Sequence, residues 1–204
     1  MKKSFYISIL CLVLSTANAQ AQTLEDLLSG ISNLFGSSEE AAPQPKITHP
    51  EIYDLLGVWK FDGLVMDYTG DSSVAAVAIS TLESQLPTIA TKFGIVAGRD
   101  YIDVSDDGTL TFVCGEARMT AQCTYYDSYD GEASMTFYID GKSVYTTATI
   151  LEQGGVTKVL FNANKLMEIL AKHYSKFNEN TTLQMAQTVI DSYPGIRVGA
   201  KIKR

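Results

Sequence analysis

The sequence predicts a mainly β protein with helical insertions: an antiparallel up-and-down barrel of about eight strands. A helix follows the first strand, and two helices precede the last. Three observations carry this. Two hairpin turns, Asp140-Gly141 and Gly154-Gly155, place one apolar set on one face of a continuous meander. The single tryptophan lies in Leu55-Leu56-Gly57-Val58-Trp59, at the head of the first long strand. Apolar residues at helical spacing run from Ser73 to Phe93 and from Asn162 to Tyr193, between strand-like segments.

The chain has 204 residues, 46% hydrophobic and 19% charged, a composition that supports a globular core. Lys2 and Lys3 precede an apolar run, Phe5 to Leu14, that is too short to span a bilayer. Small-x-small cleavage sites follow at Ala17-Asn18-Ala19 and Ala19-Gln20-Ala21. Residues 1–21 therefore read as a secretory signal peptide of bacterial type. The mature chain is expected to be exported, to the periplasm or the outside. Cys11 follows Leu10 inside the apolar run, which excludes a lipoprotein site. The net charge is −7 and becomes about −9 when Lys2 and Lys3 are removed. An acidic chain without a basic cluster does not track a phosphate backbone, so nucleic acid is excluded as a partner. No later segment is long and apolar enough for a transmembrane helix, so none is expected in the mature chain.

Residues 22–47 predict a short amphipathic helix, Thr23 to Phe35, and a small, acidic, proline-containing linker from Ser37 to Pro45. The helix carries acids and no lysine or arginine, which favours docking on its own domain over a membrane surface. An envelope protein bound through residues 23–35 is the alternative. Residues 48–204 predict the barrel. Thr48-His49-Pro50-Glu51 has the form of a capping box ahead of a single helical turn. Phe61, Gly63 and Val65 are expected to share the Trp59 face of the first strand. Ala75, Ile79, Leu82, Leu86, Ile89 and Phe93 form one helical stripe, which Pro87 splits or kinks.

Tyr101 to Val104 leads into the turn Asp106-Asp107-Gly108. Leu110, Phe112 and Cys114 alternate after it, followed by Ala117, Met119, Ala121, Cys123 and Tyr125. Asp140-Gly141 pairs Ile139 with Lys142, Phe137 with Val144, Met135 with Thr146 and Ala133 with Ala148. Gly154-Gly155 pairs Ile150 with Val159 and Ala148 with Phe161. Read independently, the two turns put Ala148 and Ile150 on the Phe137 face, and a one-residue slip would turn that set outward. Leu166, Leu170, His173 and Phe177 stripe one helix, and Leu183, Ala186, Val189, Ile190 and Tyr193 the next. After Pro194-Gly195, Ile196, Val198, Ala200 and Ile202 alternate with polar residues and Gly199 in a last, one-sided strand.

The chain at this point resembles the calycins, that is, lipocalins and fatty-acid-binding proteins. The likeness rests on a helical turn, then Gly57-Val58-Trp59 on the first strand, then a meander. It resembles more closely a family of secreted bacterial lipocalin-like domains. The matching features are Leu56-Gly57-Val58-Trp59, the alanine-rich helix from Val74, the Asp107-Gly108 hairpin and Tyr193-Pro194-Gly195-Ile196-Arg197-Val198-Gly199. The resemblance implies a barrel with Trp59 closing one end and Gly57 allowing the tight entry. It implies no activity.

Export leaves Cys114 and Cys123, for which two readings stand, a disulfide or two buried thiols. Direct pairing needs a turn centred on Arg118-Met119, which is poor turn chemistry. His49 and His173 are far apart, no cysteine–histidine set has zinc spacing, and no nucleophile elbow or phosphate loop occurs. The chain is therefore expected not to be an enzyme and to carry no cofactor and no metal. Asp103, Asp106, Asp107, Asp127 and Asp130 read as turn formers. Tyr125, Tyr126 and Tyr129 near a loop have the chemistry to stack on a sugar or a flat apolar ligand, but read first as strand and loop filling, with Tyr125 inside and Tyr126 outside. The expected interior ligand residues are Val65, Met119, Tyr125, Met135, Phe137, Val144 and Phe161, around a small apolar or amphipathic molecule. A filled barrel serving as an envelope interaction module is the alternative.

Overall fold

The computed structural model describes residues 46–72, 75, 76, 79, 83, 86–92, 95–114, 117–139, 141–173, 187, 188 and 190–204. The signal segment, the helix from Thr23 to Phe35 and the linker lie outside these residues. The sheet closes on itself. The long strands are β2 (Gly57–Tyr68), β3 (Tyr101–Val104), β4 (Thr109–Cys114), β5 (Ala117–Asp127), β6 (Glu132–Ile139), β7 (Lys142–Gln153), β8 (Val156–Asn162) and β9 (Ile196–Lys203). Each pairs antiparallel with its sequence neighbour, and β9 joins β8 to β2. The result is an eight-stranded antiparallel barrel, and closure leaves it no long open edge.

Both expected hairpin registers are present. Phe137 opposes Val144, Met135 opposes Thr146 and Ala133 opposes Ala148. Ala148 opposes Phe161 and Ile150 opposes Val159. At the first turn Gly141 has φ +74°, a left-handed conformation that glycine adopts at no steric cost. The inward set packs into one core of Leu55, Trp59, Ile102, Leu110, Ala121, Ala133, Met135, Ala148, Ile150, Val159 and Ile202.

Three expectations are corrected. First, Thr48 does not cap a helix. Ile47 and Thr48 form a short strand, β1, against Gln153 and Glu152 of β7, so their backbone is extended. The 3-10 turn that follows, Ile52–Leu55, has Glu51 as its N-cap and no side-chain cap. Second, Val65 does not share the Trp59 face. The β2–β9 register shifts between Phe61 and Gly63, so Asp62 is an extra residue and every later side chain changes face. Leu64 and Met66 point inward, while Val65 is on the opposite face of the strand, buried in a cluster with Leu151 and Leu160. Third, Tyr125 and Tyr126 exchange places. A bulge between Cys123 and Tyr125 turns Tyr125 outward and Tyr126 inward. The Tyr126 hydroxyl then donates to the Pro50 carbonyl at 2.6 Å.

The two ends of the barrel differ. At the end where β2 begins, Trp59 is buried and its indole Nε1 donates to the Leu55 carbonyl at 2.8 Å. The Arg204 guanidinium lies 4.9 Å from the centre of the Trp59 ring, a cation–π contact that ties the chain's end across the plug. Both long connections, residues 69–100 and 163–195, leave from the opposite end and carry the helices. The described helical residues of the first are Ala75, Ala76, Ile79, Glu83 and α1 (Leu86–Lys92). Ser84 and Gln85, where a break before Pro87 would show, are outside the described residues. The second begins with α2 (Ala163–His173), whose start is capped by the Asn162 side chain accepting from the Lys165 amide at 3.0 Å.

Candidate functional site

Most inward side chains are buried along the whole barrel, Met119, Val144 and Val198 toward the helical end included. Met135 and Ala133 are fully buried, and Ala121, Ala148, Ile150 and Val159 nearly so. Toward the helical end, Phe112, Phe137 and Phe161 also face the barrel axis yet stay half-buried. Their rings touch in series. Phe112 and Phe137 have centroids 5.6 Å apart with planes tilted 34°, and Phe137 and Phe161 are 6.1 Å apart at 59°. These are tilted aromatic contacts, at separations typical of favourable ring pairs. Leu64, Met66 and Cys114 extend the wall toward α1, against Phe61, Leu86, Ala90 and Ile95. Val144 and Ile169 of α2 close it beside Phe137.

Among the described residues, charged side chains take inward strand positions only at the two ends of the barrel, and at the Trp59 end this is the exposed Glu152. Lys142 occupies an inward register position, but it is exposed at the rim beside the β6–β7 turn. Just before β3, the Asp100 carboxylate is buried and neutralised. It accepts from the Val96 amide at 2.8 Å and from Arg99 Nε at 2.6 Å. Its backbone is zipped to β2, with the Phe61 amide donating to the Asp100 carbonyl at 2.7 Å and Gly98 donating to Phe61 at 2.8 Å. That clamp fixes the exit from α1 over the inward wall. Burial, then the nearby Asp100 charge, pushes the Cys114 thiol up to about 11. Burial also raises the Cys123 thiol.

Cys114 and Cys123 are free thiols. Cys114 pairs with Ala117, and Cys123 pairs with Met135, so the ladder keeps them apart. A second opening, a cleft of about 730 Å³, lies between the β2 bulge and α1. It is lined by Phe61, Gly63, Leu64, Pro87, Ala90 and Lys201 among others, and Leu64 is shared with the inward wall. This volume falls in the range of small-molecule sites.

Of the residues expected to line a ligand site, Met119, Met135, Phe137, Val144 and Phe161 face inward, and Val65 and Tyr125 do not. Met135 and Met119 belong to the buried packing, whereas Phe137 and Phe161 stay half-buried. Sequence reasoning missed Phe112, Leu64 and Met66. The signal for the last two was Gly63, since an isolated glycine within a strand pattern marks a bulge. Asp107, Asp127 and Asp130 each accept a backbone amide two residues on, from Thr109 at 2.8 Å, Tyr129 at 2.9 Å and Glu132 at 2.9 Å. These are Asx turns. Among the described residues no group of three or more His, Cys, Asp or Glu stands together for a metal.

A family model described as Lipocalin-like domain (DUF4923) matches residues 31–204. The chain belongs to that lipocalin-like domain family. The match spans the whole barrel, Trp59 plug and closing strand β9 included. No curated protein and no solved structure matches the chain.

Proposed function

We propose that this lipocalin-like protein is an exported binding protein that holds a small apolar or amphipathic molecule and does not transform it. The observation that supports the reading is a set of three half-buried aromatic side chains on the interior wall. Phe112, Phe137 and Phe161 face the axis and stay half-buried, and no charged inward position lies between the two ends of the barrel. Taking an ionised group into such a lining costs far more than an uncharged apolar surface returns. The buried part of the ligand is therefore uncharged, and an ionic end, where present, stays at the helical rim near Lys142. The β2–α1 cleft, which shares Leu64 with the chamber, is the way in.

Titration of the mature chain with an environment-sensitive apolar fluorophore tests this, together with native mass spectrometry of the purified protein. Saturable uptake that is lost in Phe137→Ala and displaced by a long-chain alcohol is expected. Absence of both saturable uptake and a co-purified species sinks the reading. A chain beginning at Lys46 should keep its uptake, because every residue of the chamber lies beyond that point. Cell fractionation with N-terminal sequencing tests export, and a mature start near Gln20 or Gln22 is expected.

A further inference from the structure

We propose a second binding site on the outside of the barrel, a tyrosine platform for a neutral polysaccharide on the outer face of β5, β6 and β7. The bulge that turns Tyr125 outward places it opposite Ser134, and Ser134 lies opposite Thr147. On the same face Tyr145 opposes Thr136, and Tyr138 opposes Ser143. Tyr125, Tyr138 and Tyr145 are 56%, 53% and 57% exposed, far from the burial expected of large aromatic side chains. The Tyr145 hydroxyl lies 3.0 Å from Ser134 Oγ, so a serine sits between the Tyr125 and Tyr145 positions and joins them. From strand geometry the three rings spread over roughly 14 Å. Tyr129, 92% exposed, stands beyond them in the β5–β6 turn.

The chemistry of the surroundings selects the ligand. Between and beside the rings the outward positions are Thr120, Gln122, Ser134, Thr136, Ser143 and Thr147. None is aliphatic, so the face lacks the apolar centre that a protein interface buries. All can donate and accept hydrogen bonds, as a polyhydroxylated ligand requires. The lower rim is acidic. Asp127 receives the Tyr125 hydroxyl at 3.3 Å and raises its pKa, and Glu132 faces Asp127 across the ladder. On a chain of net charge −7 this rim repels polyanions while still accepting hydroxyl hydrogen bonds. Flat ring faces, hydroxyl neighbours and an acidic edge match the apolar faces and equatorial hydroxyls of a neutral glycan.

The test is affinity electrophoresis of the mature chain in gels containing a β-glucan, a xylan or a galactomannan, with polygalacturonate as the anionic control. Retardation by at least one neutral polymer and none by polygalacturonate is expected. Tyr125→Ala, Tyr138→Ala and Tyr145→Ala should each weaken retention roughly three- to tenfold. Tyr145→Phe should keep most of it. All four variants should retain the Trp59 fluorescence of the folded barrel and its uptake of apolar fluorophore, because the rings lie outside. No retardation in any neutral gel overturns the proposal, as does equal retention by the triple alanine variant. A wild-type dimer that the triple variant abolishes, without glycan retention, would assign the face to self-association instead and also overturn it.

Discussion

Cys114 shows how a single side chain reports on the chamber. Its thiol faces inward, half-buried beside the Phe61 cluster, and burial lifts its pKa from 9.0 to about 11. The native state therefore holds this proton where the unfolded chain releases it. The stability it contributes is complete below pH 9 and is lost as pH rises toward 11. In a Cys123→Ser background, iodoacetamide should alkylate Cys114 slowly until the pH approaches 11, and a bound apolar ligand should slow it further. A half-maximal rate near pH 8.5, the value of an exposed thiol, would contradict this placement. Two strands away on β6, Phe137→Ala removes a half-buried ring and two ring contacts. It should cost about 1–3 kcal/mol in urea unfolding and most of the affinity for an apolar fluorophore.

Among the elements, β2 is the one whose sequence misleads. Its alternation from Trp59 to Val65 looks regular, but one extra residue at Asp62 changes the face of everything after it. The bulge lets one strand put Trp59 and Phe61 inward before it and Leu64 and Met66 inward after it. It also sends Val65 to the opposite face, into a buried cluster with Leu160 and Leu151. Deleting Asp62 alone should keep Leu64 and Met66 inside, but deleting Asp62 and Gly63 together should invert that half of the strand, putting Val65 and Asp67 inside, and lower Tm by well over 10 °C or abolish folding. A stability within a degree of wild type would show that the strand tolerates either face. The β8–β9 approach is similarly tight. A Cβ at Gly199 would run into the Val159 carbonyl and lie 3.0 Å from the Leu160 Cα, both backbone. Gly199→Ala should cost on the order of 3 kcal/mol, read from chemical unfolding.

At the scale of the whole molecule, the barrel is asymmetric along its axis. One end is shut by Trp59, Leu55 and Arg204, and the other is roofed by helices over half-buried aromatic walls. A ligand held only by the native barrel stabilises it by mass action, about 2.7 kcal/mol at a hundred times its Kd. A long-chain alcohol should therefore raise Tm in a concentration-dependent way. A matched dicarboxylate, with a charge at each end, should raise it far less, because one charge would have to pass below the rim. Equal shifts for the two would show that the interior accommodates charge.

Much of this was legible in the chain itself. Gly141 and Gly154-Gly155 determine two hairpin registers, and those registers determine which residues face the axis over three consecutive strands. Local turn chemistry suffices there because the strands are adjacent in sequence. Trp59 and Gly57, placed before a meander, point to the closed end for the same reason. The bulges at Asp62 and after Cys123 were decided only by tertiary structure. They adjust β2 to the distant β9 and β5 to β6 around a closed ring, a constraint that arises once the first and last strands meet. The same closure decides that Phe112, far in sequence from Phe161, shares a chamber with it, and that Tyr125 faces solvent with Tyr138 and Tyr145. Alternation tells which residues lie on the same side of a strand, and closure of the barrel tells which side is the inside.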